Sequence, residues 1–450
     1  MDREMLKKIV RLVVPAIIEY SLQVLTNYAD YIMVGSLGVT ASAAIGITTE
    51  ITYLLKGAVN ALGIGVLAYI SAAIGARKTD KIKTASVQAV YTSVAVGIVL
   101  TVISLAISPF VPCWMGAEED IAGLASGYFA IANAPFIFIS LNMVLGYALK
   151  ASGDMKTPLF INGAVNILNI IFNYLLIYPT RDIVVFGRTV RMVGAGLGVY
   201  GAALGTAVST AIGGVLMLVG FMRNGSISPK GEKRLLDRDI IREFVRVGIP
   251  SMLTRLTNNT GRVVFTGIVA HLGTVMYSAH TISFTAESAF NIPSIGMMSA
   301  VAAMAGTVKG EGDIKKLNRL TKTLCILGAG VMAVMSCLMF ALSDRMFTLF
   351  TSDSEVLEIC PKLLRIVAFN EPILIIAFII ESVFNGIGKT KLPFIAGTIS
   401  QWTFRVGGAW VCLNIFGLTV EAAWYCLITD NFVRCIILSA EYIALNKKLI

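Results

Sequence analysis

The chain has 450 residues, 56% of them hydrophobic and 14% charged, with a formal net charge of +10. A soluble domain carries roughly 25% charged residues, so this composition excludes an ordinary water-facing surface and points to a membrane-embedded chain. The seven cysteines have neither CxxC nor Cys/His spacing, which excludes a disulfide framework and a structural metal site and makes them small packing residues.

Apolar runs of about 20 residues, the length that crosses a bilayer as helix, recur along the whole chain. They predict twelve spans, at 12–34, 44–73, 85–108, 121–148, 158–178, 197–221, 242–270, 277–305, 318–342, 363–386, 393–416 and 420–444. Ten-residue alternating strands are absent, which argues against an outer-membrane barrel. The first run is too long for a signal-peptide core and no small-residue cleavage site follows it, so it is expected to be a retained span.

The first span carries Glu19, Gln23, Asn27 and Asp30 on one helical face. The second adds Glu50 and Lys56, which either pair with distant charges or line a cavity mouth. The fifth carries Asn162, Asn166, Asn169 and Asn173, four amides in one stripe. Facing lipid, those amides would be unsatisfied, so they face protein or water. The economical arrangement sets span one against span five, with Asp30 near Asn169 and Asn173. A carboxylate with amide oxygens could hold Na⁺, and the same carboxylate could carry a proton. The plainer alternative is that the amides only join helices.

Between spans five and six, residues 183–192 read as a β-hairpin turning at Gly187 and Arg188. Gly196 to Gly201 fits GxGxxG but opens a span with no βαβ unit, so dinucleotide binding is unsupported. Gly201 and Gly205 form a small-xxx-small face suited to close helix packing. A polar linker, 223–240, follows, and the seventh helix is expected to begin with an interfacial turn around 237–246.

In the second half, span seven carries Arg255, Asn258, Asn259 and Arg262 on one face. Span eight has Glu287 and Asn291, span ten Glu371, Glu381 and Asn385, and span eleven Gln401 and Arg405. Arginines and glutamates at similar depth most simply pair, because an unpaired buried charge is very costly. A fixed ion-pair network is therefore the expectation, with a substrate-facing or gating network as the alternative. Pro15, Pro135, Pro293 and Pro372 fall within or near spans, where proline can kink a helix; Pro293 near Asn291 is the best hinge candidate, with simple packing curvature as the equal alternative. The sequon at Asn258 lies inside a span, His271 and His280 read as interfacial residues, and Gly388-Lys-Thr390 lacks the first glycine of a phosphate loop, since position 383 is Val. No Ser/His/Asp or Cys/His constellation exists, so no catalytic residue and no enzyme is expected.

The halves repeat. Pro15, Gly38, Gly75, Gly153 and Pro158 recur 235 residues later as Pro250, Gly273, Gly310, Gly388 and Pro393. Past span five the offset drops to 220, so the first half carries a 15-residue insertion in its external loop. Asp30 has no acidic partner, its equivalent being Phe265. These features predict an all-α polytopic membrane protein with twelve transmembrane helices in two pseudo-symmetric six-helix lobes, 1–222 and 241–450. One ion-capable acid in such a frame suggests a transporter. Lys and Arg crowd the N-terminus, the C-terminus and alternate connections, leaving Arg181, Arg188, Arg191, Arg345, Lys362 and Arg365 on the other side. The positive-inside rule then places both termini in the cytoplasm, and the basic excess reflects orientation and lipid headgroups rather than nucleic acid.

Four segments carry a family resemblance: 27–38 around Asp30, 149–158 around Gly153, 169–177 from Asn169, and 198–206 ending at Thr206. Together they resemble the multidrug and toxic compound extrusion (MATE) family, within the multidrug/oligosaccharidyl-lipid/polysaccharide exporter superfamily, over the whole chain. The resemblance implies a cell-membrane exporter, expected as a monomer, of small cationic or amphipathic organic compounds in exchange for H⁺ or Na⁺, with no other cofactor. The family's first-lobe site joins an Asp on helix one, an Asn and an Asp on helix five and a Thr on helix six. Asp30, Asn169 and Thr206 match it, Thr26 and Asn27 sit beside Asp30, and Asn173 stands where the second acid would be. Members with a second-lobe sodium site use a Glu where Asn258 stands and an acid near Leu374, so coupling there is not expected. The remaining polar residues, Glu19, Gln23, Asn162, Asn166, Arg255, Arg262, Glu287, Asn291, Glu381 and Asn385, together with Asn258, are cavity candidates. A lipid-linked oligosaccharide flippase of the same superfamily is the alternative, with Arg255, Arg262 and Arg405 receiving a diphosphate.

Overall fold

The computed structural model describes residues 3–185, 188–232 and 236–449. The predicted spans become helices in order. The first three are α1 (Arg3–Gly35), α2 (Val39–Gly75) and α3 (Thr79–Ile107), followed by the short α4 (Val111–Trp114). Helices α5 (Glu119–Asn133) and α6 (Phe136–Ala151) make the fourth span, bent by 48° where Pro135 interrupts it. Next come α7 (Lys156–Ile177) and α8 (Gly198–Arg223).

The second half opens with α9 (Arg238–Ala270). Span eight is α10 (Thr274–Phe290) and α11 (Ile292–Glu311), broken at Asn291 with Pro293 in the first turn of α11. Proline is harmless there, because the first-turn N–H groups have no intrahelical partner. Then come α12 (Ile314–Met346) and the pair α13 (Ser354–Ala368) and α14 (Glu371–Gly386), bent by 51° ahead of Pro372. Span eleven runs from α15 (Lys391–Ser400) through α16 (Gly408–Trp410), with π-helical turns at Gln401–Gly407 and Val411–Ile415. The last helix is α17 (Val420–Leu449). Among the described residues, seven helices are long and apolar enough to cross a membrane alone, and nine spans result if each bent pair is one. The three that fall short, spans seven, eleven and twelve, hold Arg255 and Arg262, Gln401 and Arg405, and Asp430 and Arg434.

Asp237 Oδ1 accepts from the backbone N–H groups of Asp239 and Ile240, and the turn expected around 237–246 is the first part of the continuous α9. The hairpin is longer than expected: β1 (Pro179–Val185) pairs antiparallel with β2 (Arg188–Ala195), and Val185 faces Arg188. Arg188, expected in the turn, therefore lies in β2, while Gly187, the other expected turn residue, lies outside the described residues. Arg181 at the base of the hairpin stacks on Tyr178, 3.9 Å from the ring centre, and on Tyr174 at 4.6 Å.

The chain divides into two compact units. One comprises the start of the chain to Ile17, Ser71–Arg77 and Arg246–Ile450. Inside it the end of α2 crosses α11 at glycines: a Cβ on Gly75 would strike the Thr307 carbonyl, and a Cβ on Gly310 would strike that of Ala72. Both pairs obey the repeat offset, so the crossing is symmetric in the sequence. This unit's core includes Phe265, Val367, Leu413 and Trp424. The other unit comprises Ile18–Ile70 and Lys78–Val245. There α8 lies so close to α7 that a Cβ on Gly201 would meet the backbone of Leu176. The small-xxx-small face thus packs as its sequence requires.

Candidate functional site

Helix α7 turns Asn169 and Asn173 toward α8, and both are buried. Asn173 can sit there because residue 205 is glycine: any Cβ at that point would overlap the Asn173 Oδ1 atom. So placed, Asn173 Nδ2 donates to Asp30 Oδ1 at 2.8 Å and to Asn169 Oδ1 at 3.3 Å. Asn169 Nδ2 donates to the Thr206 hydroxyl at 3.3 Å and to Ser209 at 3.4 Å. Four of the six expected coupling residues, Asp30, Asn169, Asn173 and Thr206, are therefore one cluster across α1, α7 and α8. Ser209 joins them and was not foreseen, although it lies one turn beyond Thr206 on the same face.

The Asn169 amide has two readings with different chemistry. In one, its carbonyl oxygen faces Asp30. Turned over, its Nδ2 donates to Asp30 Oδ1 at 2.9 Å and Oδ2 at 3.3 Å. Two acceptor oxygens at that separation need a proton or a cation between them, whereas the turned amide satisfies a bare carboxylate. Lys56 on α2 acts electrostatically on the same acid. The donor set of Asp30, an amide oxygen and a hydroxyl is all hard oxygen and suits Na⁺ as well as H⁺.

Other first-half candidates lie elsewhere. Glu19 is held by Lys150 Nζ at 2.9 Å and by Asn162 Nδ2 at 2.7 Å, with both ion-pair side chains largely buried. Glu19 thus bonds to Asn162 and to Lys150 rather than to the Asp30 cluster, and the sequence carries no sign of Lys150 as the partner. Thr26 spends its hydroxyl on the Leu22 carbonyl at 2.9 Å. Gln23 and Asn27 are exposed and Asn166 is half-buried, and among the described residues their side chains make no hydrogen bond.

The second-half candidates are not joined as expected. Arg405 pairs with Asp430 at 2.8 Å and donates to Asn431 at 3.1 Å. Asn258 accepts from Gln401 through its backbone carbonyl at 3.0 Å and from Arg434 through Oδ1 at 3.4 Å. Glu287 and Glu371 are bridged by Asn291, whose Nδ2 lies 3.5 and 3.3 Å from their Oε1 atoms. Asp430 and Arg434, one turn apart in the last apolar run, are the missed residues. The expected Arg–Glu pairing is corrected accordingly: the glutamates share an amide, and Arg255 and Arg262 are exposed with no ion pair among the described residues. Glu381 is half-buried and Asn385 buried.

At the repeat position of Asp30, Phe265 is 2% exposed in an aromatic plug with His280, whose Nδ1 accepts from Trp424 Nε1 at 3.2 Å. His280 is thus a core residue rather than an interfacial one, while His271 is exposed beyond the end of α9.

Comparison with known proteins places the fold. The MatE family pattern matches residues 15–175 and 250–411. A probable multidrug resistance protein NorM of Thermotoga maritima is 26% identical over 438 residues, covering 96% of this chain and 90% of the relative. The multidrug export protein MepA of Staphylococcus aureus is 24% identical over 393 residues, 86% of this chain and 82% of the relative. Among solved structures, a MATE protein in complex with MaD3S superposes with a TM-score of 0.90 at 22% identity, covering 98% of this chain and 96% of that one. A Pyrococcus furiosus transporter of the MOP superfamily, described as having a binding pocket of reverse polarity, superposes with a TM-score of 0.89 at the same identity and coverage.

Proposed function

The chain belongs to the MATE family, a group of multi-pass membrane transporters with twelve spans in two lobes, and from that membership we propose that it exports small amphipathic or cationic organic molecules by exchange against H⁺ or Na⁺, with Asp30 carrying the coupling ion. The observation that carries this reading is the cluster across α1, α7 and α8, in which Asn173 Nδ2 donates to Asp30 Oδ1 at 2.8 Å and Asn169 joins Thr206 and Ser209.

With Asp30 ionised, Asn173 Nδ2 and the turned Asn169 amide both donate to it. With a proton bound, the acid donates to Asn169 Oδ1, and the Asn169 N–H groups return to Thr206 and Ser209. Sodium would take Asp30, the Asn169 oxygen and the Thr206 hydroxyl. Loading thus keeps Asp30 bonded to Asn169 but reverses the donor, and it frees the Asn169 N–H groups for Thr206 and Ser209 on α8. An ion that binds these two arrangements unequally shifts the balance between inward- and outward-open forms, which is all that exchange requires. Moving one unit charge through 100 mV is worth about 2.3 kcal/mol, enough to bias such a balance.

The test uses proteoliposomes with a fluorescent organic cation and separately imposed proton and sodium gradients. Wild type is expected to respond to one gradient, and Asp30→Asn to neither. Coupled efflux that persists in Asp30→Asn would remove Asp30 from the mechanism.

A further inference from the structure

Arg255 and Arg262 stand apart from the other buried-depth cations of their unit. Arg405 and Arg434 are turned inward and held by Asp430, Asn431 and Asn258. Arg255 and Arg262 are exposed and, among the described residues, make no ion pair and no side-chain hydrogen bond. At 1.5 Å per residue they lie roughly 22 and 12 Å below the Ala270 end of α9, well inside a bilayer's depth.

Their face is not the lipid face. Counted at 100° per residue, Asn258, Arg262, Arg255, Thr266 and Asn259 fall within an arc of about 100°. The exposed apolar residues Ile249, Leu256 and Val263 form a separate stripe centred about 100° away from the arginines. Charged side chains at this depth belong on a water-filled face, and their cost is retained where they have work to do. The carboxylates of the unit do not neutralise them: Asp430 is taken by Arg405, and Glu287 and Glu371 share Asn291. Glu381 interacts electrostatically with Arg434 first and with Arg255 second, and forms an ion pair with neither among the described residues.

We propose that Arg255 and Arg262 form a recognition site for an anionic oxygen group on the transported molecule, so that the preferred cargo is an amphipath bearing a carboxylate, sulfonate or phosphate, zwitterions included, rather than a simple organic cation. The two residues are two turns apart, about 10.5 Å along the axis, which lets two long side chains converge on one anion. The guanidinium fork matches carboxylate and phosphate oxygens in a way an ammonium does not. This inference deepens the transport reading above and rests on it.

The experiment compares tetramethylrhodamine, which carries a carboxylate, with its methyl ester, which has the same fluorophore without the negative charge. Binding to the purified full chain is followed by fluorescence anisotropy. Wild type is expected to bind the acid more tightly than the ester. The double variant R255Q/R262Q should weaken acid binding tenfold or more and leave the ester unchanged. R255K/R262K, which keeps the charge but loses the fork, should retain part of the preference and reports on folding alongside the melting midpoint. Wild type that does not favour the acid, or a glutamine variant that weakens both dyes equally, overturns the proposal. Flipping of a fluorescent phosphatidylglycerol, abolished by R255Q/R262Q, would identify a lipid as the source of the anionic group, and transport of the free dye would identify a soluble amphipath. If the acid is preferred yet neither dye nor lipid moves under any gradient, the anion site stands and the transport reading fails.

Discussion

A narrow tolerance lies at Gly205, where the absence of a single carbon lets Asn173 reach Asp30. Gly205→Ala should therefore uncouple transport without touching a charged group. Overpacking of this kind costs about 1–3 kcal/mol, so a modest fall in melting temperature should accompany at least a tenfold loss of ion-driven efflux. Unchanged coupling in that variant would show that the Asn173–Asp30 bond is dispensable. At this scale the spacing of the amides along span five carried real information. Four polar residues in one stripe must face something polar, and Asn169 and Asn173 do. Thr26 and Asn27 illustrate the limit: proximity along a helix does not fix where a hydroxyl or amide is spent, and Thr26 bonds its own backbone. The partner of Glu19 was illegible for a related reason, since Lys150 lies 131 residues away at the end of another helix.

Among the elements, that Glu19–Lys150 pair fastens α1 to α6 and, through Asn162, to α7. Lys150→Ala would strand a carboxylate with 11% of its side chain exposed, and a loss of about 3 kcal/mol is expected, at the low end for a broken buried pair. The double change Glu19→Leu with Lys150→Met should recover much of it, because two apolar residues leave no charge unpaired. Thermal unfolding in a fixed detergent would measure both. Helix positions were readable because hydrophobic length is a strong signal, and the kinks because proline cannot donate. Arg188 was expected in the hairpin turn and lies in β2 instead, because cross-strand pairing with Val185, which no local sequence signal reports, sets the register. The start of α9 falls where a capping acid precedes the apolar run, with Asp237 Oδ1 accepting from the N–H groups of Asp239 and Ile240.

At the scale of the molecule, the repeat was plain in the sequence, but the compact units do not follow it: α1 to Ile17 and residues 71–77 of α2 group with the second half of the chain. Helical packing assigns the ends of long helices, and sequence identity between halves does not register that. Charge distribution makes a prediction here. Reporter domains fused to the two termini should both report the cytoplasm, with a reporter inserted in the 5–6 hairpin reporting the outside, and a terminus found outside would reverse the assignment.

The α2–α11 crossing carries a historical consequence. Gly75 rests on Thr307, and Gly310 on Ala72, so exchanging the halves maps the contact onto itself. Self-complementary contacts of this sort are the signature of an isologous dimer. A six-helix ancestor would have owned both faces before gene duplication, and two separate copies could have met there. A fused pair can diverge half by half, and Asp30 in one half stands against Phe265 at the matching place in the other.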